Sequence, residues 1–583
     1  MKTLALGNEA VARGLFEAGC RFVSSYPGTP STEITAYAGR YDEIDCEWAV
    51  NEKTGLEAAV AACMAGARSF AGMKHVGLNV AADPLFTASY TGVNAGLVVA
   101  VADDPGMHSS QNEQDSRYYA AAAKVPMLEP SDSEECRAYT RLAFELSERF
   151  DTPVLVRLST RISHTRTAMD EQPPESPERR PYEKNPAKYV MMPAMARARH
   201  AEVEKRMIAL GDWCEDTELN TLTWGTERKI GVISSGIACQ TAREALGGAV
   251  SYVKLGMVYP LPVKMLQELA EGVEELWVIE ELDDFIETHC KKHGLRVRGK
   301  AELSPLGEYT TEQLRRAILG ASPAEEASAA SAAPLPNRPP VLCPGCSHRG
   351  TFYVMQKLKL TVLGDIGCYT LGAAPPLNSM DYCLCMGGSV SGLHGFLKAR
   401  PEAASSAVAV IGDSTFIHSG VTGLIHMVYN QTPGTVVILD NSTTGMTGHQ
   451  HNPVTGLTLK NRPAPVLSLA ELCRGAGVAR VREADPFDTP ALEAALREEL
   501  AAPEPSVIVV RRPCALLKST ARKPAVTIDA GRCTLCGLCL KIGCPALTKG
   551  EQAVGVNTPL CAGCGLCAGL CRRGAIMTGE GSA

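Results

Sequence analysis

Eight of the 22 cysteines crowd between Cys533 and Cys571. They form two combs, C-x2-C-x2-C-x4-C-P at Cys533, Cys536, Cys539 and Cys544, then C-x2-C-x2-C-x3-C at Cys561, Cys564, Cys567 and Cys571. Such density calls for a disulfide framework or a bound metal. A disulfide-stapled module belongs to an oxidising compartment. The opening "MKTLALGNEAVARG" breaks its short apolar run at Asn8 and Glu9, so no secretory core is expected and the thiols should stay reduced. Zinc sites use separated pairs of ligands, whereas three thiolates at successive x2 spacings wrap one cubane, with the fourth cysteine of each comb reaching across to the other cluster. The spacing therefore predicts two [4Fe-4S] clusters, one on Cys533, Cys536, Cys539 and Cys571, the other on Cys561, Cys564, Cys567 and Cys544. Two departures stand out: the first comb has four residues before its last cysteine, and Arg572 follows the second where proline is common.

A second set of chemistry-bearing residues sits at the ends of apolar runs. "SAVAVIGDS" (406–414) and "TVVILDNS" (435–442) read as buried parallel strands, and ligands of parallel sheets bind beyond the strands' carboxyl ends. Asp413 and Asn441 would then face one site, where a carboxylate, a carboxamide oxygen and a main-chain carbonyl suit Mg²⁺ carrying a diphosphate. The alternative is an aspartate that merely caps the following helix.

The elements that must position these residues follow from the rest of the chain. Its 583 residues allow about four domains. A formal net charge of −7 and pI near 6.0 lack a basic nucleic-acid footprint. The longest strongly apolar stretch, "AGLVVAVA" (95–102), is too short to span a bilayer, so a cytoplasmic protein with no membrane partner is expected. "LVVAVADD" (97–104), "TPVLVRLS" (152–159), "IGVISSG" (230–236) and "ELWVIEE" (275–281) are further buried-strand runs, and "TGLEAAVAACMAGARS" (54–69) is helical. The pattern predicts α/β architecture, parallel sheets flanked by helices. Two stretches, 167–186 and 321–340, have linker composition.

Taken with "YPGTP" (26–30), "NEKTGLEAAVAACMAGARS" (51–69), "MKHVGLNVAADP" (73–84), "CPGCSHRG" (343–350) and the terminal combs, the GDS-to-DN segment resembles the magnesium–diphosphate motif of thiamine diphosphate enzymes. Over nearly its full length the chain is similar to the large (alpha) subunits of the 2-oxoacid:ferredoxin oxidoreductase family, in its indolepyruvate branch. The resemblance implies thiamine diphosphate-binding folds with a C-terminal α+β two-cluster ferredoxin domain. It divides the chain into a pyrimidine-binding domain at 1–166, an extension at 167–225, a transketolase C-terminal-like α/β domain at 226–325, an Ala/Pro linker at 326–338, a diphosphate/Mg-binding domain at 339–521 and the ferredoxin domain at 522–583.

The same resemblance implies that Asp413, Asn441 and the main-chain carbonyl of Thr443 ligate Mg²⁺. Ser414 and Asp440 depart from the usual GDG and NN. Glu52 matches the family glutamate that bonds the pyrimidine N1′ and favours the imino tautomer; taken alone it would be a solvated first-turn carboxylate. Thr29 could touch substrate or cofactor or serve the turn alone. His75 could orient the 2-oxo acid or be structural. Cys343 and Cys346 could form a redox dithiol, but the resemblance sets their loop beside the diphosphate, with His348 as a contact. The polar loop at 108–119 could line the same pocket.

Decarboxylation of a 2-oxo acid on thiamine leaves two removable electrons, and a [4Fe-4S] cluster accepts one at a time. The expected reaction is oxidative decarboxylation of an aryl 2-oxo acid, indolepyruvate-like, with coenzyme A capturing the acyl group and ferredoxin taking the electrons. The partners implied are a smaller beta subunit, ferredoxin and a second copy of the pair, making a dimer of heterodimers. Two other classes share the residues: a non-oxidative thiamine lyase with an accessory ferredoxin domain, and an electron-transfer scaffold whose thiamine site is degenerate.

Overall fold

Strands whose residues are all buried form the centre of each half of the chain. The computed structural model describes residues 2–320 and 339–579, and divides the chain into two units, Met1–Ala333 and Pro334–Ala583. The expected linker at 326–338 lies outside the described residues.

The first unit holds a seven-stranded sheet in the order Met257–Tyr259, Met127–Leu128, Val154–Ser159, Leu97–Asp103, Ser69–Lys74, Phe22–Ser25, Asp45–Trp48. All its pairings are parallel except that of the Met257–Tyr259 edge. Leu97–Asp103 and Val154–Ser159 are buried on both faces, as parallel strands between helical layers must be. Strand order reverses at Phe22–Ser25: the chain first adds Asp45–Trp48 on one side, then crosses to Ser69–Lys74 on the other. A four-stranded sheet, Glu275–Ile279, Ile230–Ser235, Ser251–Leu255, Thr221–Thr223, shares an apolar core with the first through Leu97, Val99, Ile233, Val253 and Phe285.

The linker-like stretch at 167–186 is tied down. Arg166–Asp170 pairs antiparallel with Lys2–Leu6. Glu175 N donates to Glu17 O at 2.7 Å and Arg180 N to Gly66 O at 3.0 Å. Gly66 has φ +91, and a Cβ there would lie 1.9 Å from the Arg180 carbonyl oxygen, so only glycine admits the strap. The helix Pro193–Asp216 is anchored by Arg206, which donates to Asp151 O and Ser89 O at 2.8 and 2.9 Å.

The second unit holds a six-stranded, all-parallel sheet in the order Tyr382–Cys383, Thr361–Gly364, Ala407–Gly412, Thr435–Asp440, Ser506–Arg511, Arg480–Ala484. Its order reverses between Thr361–Gly364 and Ala407–Gly412. After this sheet the cysteine-rich segment forms two small antiparallel pairs, Thr527–Ile528 with Ile576–Met577 and Leu547–Lys549 with Val554–Val556, around its own core.

A buried ionic network holds the first unit's two sheets in register. Arg117 donates to Asp115 and Glu280 and to the carbonyls of Glu281 and Asp283, while Arg157 pairs with Asp103 at 2.7 Å and Glu129 at 2.7 Å. Removing one partner strands the other charges away from water, which costs about 3–5 kcal/mol. Arg117→Met should lose that much stability in urea unfolding of the full chain; a loss below about 1 kcal/mol would show that the network does not join the sheets.

Candidate active site and cysteine cavities

In the first unit three loops leave the carboxyl ends of the strands flanking the reversal. Asn51 caps the helix Glu52–Met64 by accepting from Thr54 N at 2.8 Å, which sets Glu52 at the first helical position. Glu52 is 5% exposed, so it is not the solvated first-turn carboxylate. Its side chain lies against Gly77: a Cβ there would fall 2.7 Å from Glu52 Cγ and Oε1. Thr29, half-buried, sits in a turn whose Gly28 carbonyl accepts from both N and Oγ of Ser31 at 2.8 Å, and Gly28 in turn abuts the Lys74 side chain. His75 follows Lys74 and is fully buried, with neither ring nitrogen hydrogen-bonded. Burial, then the Lys74 ammonium, push its pKa down to about 4 against the opposing pull of Asp104, so it is a neutral imidazole.

The structure thus gathers the loops of Glu52, Thr29 and His75, and adds two residues the sequence reading passed over. Lys74 is buried, donates to Ser109 O at 2.8 Å, and has its pKa lowered by burial against Asp104 and Glu52. Asp104 accepts from Ser109 N and Ser110 Oγ at 2.8 and 2.7 Å, folding the polar loop after Leu97–Asp103 back toward Lys74. The one available signal was position: Lys74 ends one buried strand and Asp104 follows another.

In the second unit Asp413 begins a short helical turn after Ala407–Gly412, and a π-helical turn, Phe416–Gly420, follows. Its Oδ1 accepts from Ser414 N at 2.7 Å, the local capping bond, but Oδ2 is buried without a partner. Burial, then the neighbouring Asp440 carboxylate, push this acid up to about 8. Asn441 directly follows the next strand, Thr435–Asp440; its Oδ1 accepts from Thr443 N at 3.2 Å and its Nδ2 stands 3.4 Å from His348 Nε2. Between them Ser442 takes φ +59, the left-handed conformation in which a non-glycine residue is strained, a feature that clusters at functional sites. His348 opens the helix His348–Leu358 and is buried, its pKa brought down to about 4 by that burial.

Asp365 and Cys368 were also missed. Asp365 directly follows the strand Thr361–Gly364 on the other side of the reversal and accepts from the main-chain N–H groups of Ile366, Gly387 and Ser389 at 2.8, 3.0 and 2.9 Å. Cys368 Sγ would lie 3.5 Å from a Cβ on Gly445, a position that is also 3.8 Å from Asn441 Nδ2. Ser414 is buried beside Asp413.

The Asp413 carboxylate, the Asn441 carboxamide and main-chain oxygens fit Mg²⁺ of the kind that completes its shell with ligand phosphates, and the orphaned Asp413 oxygen is the atom such an ion would satisfy. Among the described residues no three His, Cys, Asp or Glu side chains close on one ion.

The comb cysteines stand around two cavities instead. One is lined by Cys533, Cys536, Cys539 and Cys571; the other by Cys544, Cys561, Cys564 and Cys567. Each takes three cysteines of one comb and the last of the other, and all 22 cysteines are free thiols. The second cavity is also lined by Gly345, Cys346 and Arg349, so the CPGC loop and the helix that carries His348 border it. Burial pushes the Cys346 thiol up to about 12. No helix of the described residues is long and apolar enough to cross a membrane.

Two family models match. Residues 13–209 fit the thiamine diphosphate-binding domain of pyruvate flavodoxin/ferredoxin oxidoreductases, and residues 365–510 fit the C-terminal binding domain of thiamine pyrophosphate enzymes. Among curated proteins, indolepyruvate oxidoreductase subunit IorA of Methanothermobacter marburgensis is 40% identical, covering 98% of this chain and 96% of its own. The protein of the same name from Archaeoglobus fulgidus is 38% identical over 99% of this chain and 97% of its own. A solved structure, 2-oxoglutarate:ferredoxin oxidoreductase from Magnetococcus marinus, is more distant, at 18% identity and TM-score 0.46 over 54% of this chain and 64% of that one. The chain belongs to the 2-oxoacid:ferredoxin oxidoreductase family, in the group of indolepyruvate oxidoreductase IorA subunits.

Proposed function

We propose that this thiamine diphosphate-dependent 2-oxoacid oxidoreductase decarboxylates an aryl 2-oxo acid of the indolepyruvate type, yields the aryl-acetyl-CoA, and sends the two electrons through two [4Fe-4S] clusters to ferredoxin. The observation that carries this reading is the pair of four-cysteine cavities, one of them bordered by the same helix whose His348 reaches Asn441. A decarboxylase that protonated its product would need no such outlet. The names of its relatives support the substrate and a partner subunit; the proposed assembly pairs the chain with a smaller beta subunit and doubles that pair into a dimer of heterodimers.

Thiamine diphosphate, when bound, supplies the chemistry by which a 2-oxo acid loses CO₂ and gives up two electrons. The chain's own residues would prepare it. Asp413, Asn441 and the Thr443 carbonyl would hold Mg²⁺, with Ser414 and the Cys346–His348 turn beside the diphosphate. Glu52, buried against Gly77, would hold a proton at the pyrimidine N1′. His75, neutral because it is buried next to Lys74, can donate or accept one hydrogen bond at the 2-oxo acid, and Thr29 can add a hydroxyl. Burial of Glu52, His75 and Asp413 excludes water that would compete for the proton.

Three outcomes follow. Anaerobic mixing of the chain, its small partner and indolepyruvate should bleach the iron–sulfur absorbance, with acyl-CoA formed once coenzyme A is added; aldehyde without cluster reduction would instead favour the lyase reading. Glu52→Gln should slow decarboxylation by about 10²–10⁴-fold while the cluster spectra stay unchanged, and full activity would remove Glu52 from the role. His75 makes stability pH-dependent with a definite sign. Its folded pKa, about 4, lies below the ordinary 6.5, so the unfolded chain binds the extra proton and stability falls as pH drops through that window. Urea unfolding between pH 7 and 5 should therefore be steeper in pH for the wild type than for His75→Gln, by up to about 1.4 kcal/mol per pH unit; equal slopes would mean His75 is not held neutral.

A further inference from the structure

Arg349 is a buried cation without a counter-ion. It is 2% exposed, and its guanidinium donates only to main-chain carbonyls: Cys343 O at 3.0 Å, Ile542 O at 2.8 Å, and Leu342 O. Among the described residues no carboxylate pairs with it. It lines the cavity of Cys544, Cys561, Cys564 and Cys567, and the titratable side chains around it are the thiols of Cys346, Cys544, Cys343 and Cys564. A Cβ on Gly543, next to Cys544, would come within 3.3 Å of its Nη1.

An unpaired buried guanidinium is costly unless something negative offsets it. A four-thiolate iron–sulfur cluster carries net negative charge and gains one more on reduction, and its potential responds to nearby charge and solvent exposure. The other cavity differs. The arginine on its lining, Arg573, is exposed, where water and salt screen its charge. Arg512, the other arginine that acts on Cys564, is already paired with Asp485.

We infer that Arg349 is the counter-charge of the Cys544/Cys561/Cys564/Cys567 cluster, raising that cluster's potential so that it is the first acceptor on the side of His348 and Asn441. The inference rests on the reading that both cavities hold [4Fe-4S] clusters. Reduction adds one electron and no proton, so a fixed cation beside the cluster stabilises the reduced form directly. Arg349 and His348 are consecutive residues of one helical turn, which couples the electron acceptor's tuning to the wall of the candidate diphosphate site.

The test is an anaerobic redox titration of the full chain with its partner, followed by EPR, on wild type, Arg349→Gln and Arg349→Lys. Iron analysis comes first: wild type that binds far fewer than about eight iron atoms sinks the two-cluster reading itself. With iron retained, Arg349→Gln should lower the midpoint of one cluster only, changing its reduced-to-oxidised ratio at fixed potential by about tenfold or more, and Arg349→Lys should restore it. Full iron with both midpoints unchanged in Arg349→Gln overturns the inference. If Arg349→Gln loses its clusters, Arg349→Lys decides: wild-type midpoints support the charge role, and a fallen midpoint or lost iron makes Arg349 a structural strut.

Discussion

A parallel sheet that reverses its winding direction leaves a gap, because the loops on either side of the reversal depart to opposite faces. Both units are built around that constraint. In the first, the reversal at Phe22–Ser25 separates the turn at Gly28 from the helix that starts at Glu52 and the Lys74–His75 corner. In the second, the reversal separates Asp365 from Asp413. Polar groups collect at these ends because strand interiors here are sealed by helices, leaving the carboxyl edges as the places where a buried polar group can meet a ligand. The unpartnered atoms His75 Nδ1 and Nε2 and Asp413 Oδ2 lie at these ends.

Holding such gaps open takes rigid loops, and the two units achieve it differently. The first uses charge: Arg117 fastens the end of the 104–116 loop through Asp115 and Glu280, while Asp104 and Lys74 fasten its start. The second uses main-chain bonds. Asp365 grips three N–H groups, and Arg349 grips three carbonyls on segments far apart in sequence. Saturating Asp365 with donors makes it a fastener, whereas Asp413, with one oxygen left over, is available to a cation.

Much of this was legible in the residues. The buried strands at 97, 154, 230, 275, 407 and 435 begin within two residues of their apolar runs, because continuous Val/Ile/Leu/Ala segments have no other way to be covered on both faces. Phe22–Ser25 and Asp45–Trp48 escaped because each is four residues long and half polar, without a pattern of its own. Ser69–Lys74 was hidden at the tail of a helical stretch. The strap at 175–180 looked like a linker, since its composition carries no apolar signal; its attachment is through main-chain bonds to Glu17 and Gly66.

By itself the sequence determined the α/β class, the comb spacings that divide eight thiols into two sets of four, and the strand-end placement of Asp413 and Asn441. Each is a local property, readable from spacing or from which residues can be buried together. Only the tertiary structure decided that Glu52 is buried, that Lys74 and Asp104 stand with it, that Cys368 and Asn441 both border Gly445, and that Arg349 borders one cavity and not the other. Those facts depend on which loops meet across the strand reversal and on how the cysteine segment docks within its unit. The residues concerned are separated by tens to nearly two hundred positions, so no local pattern could have joined them.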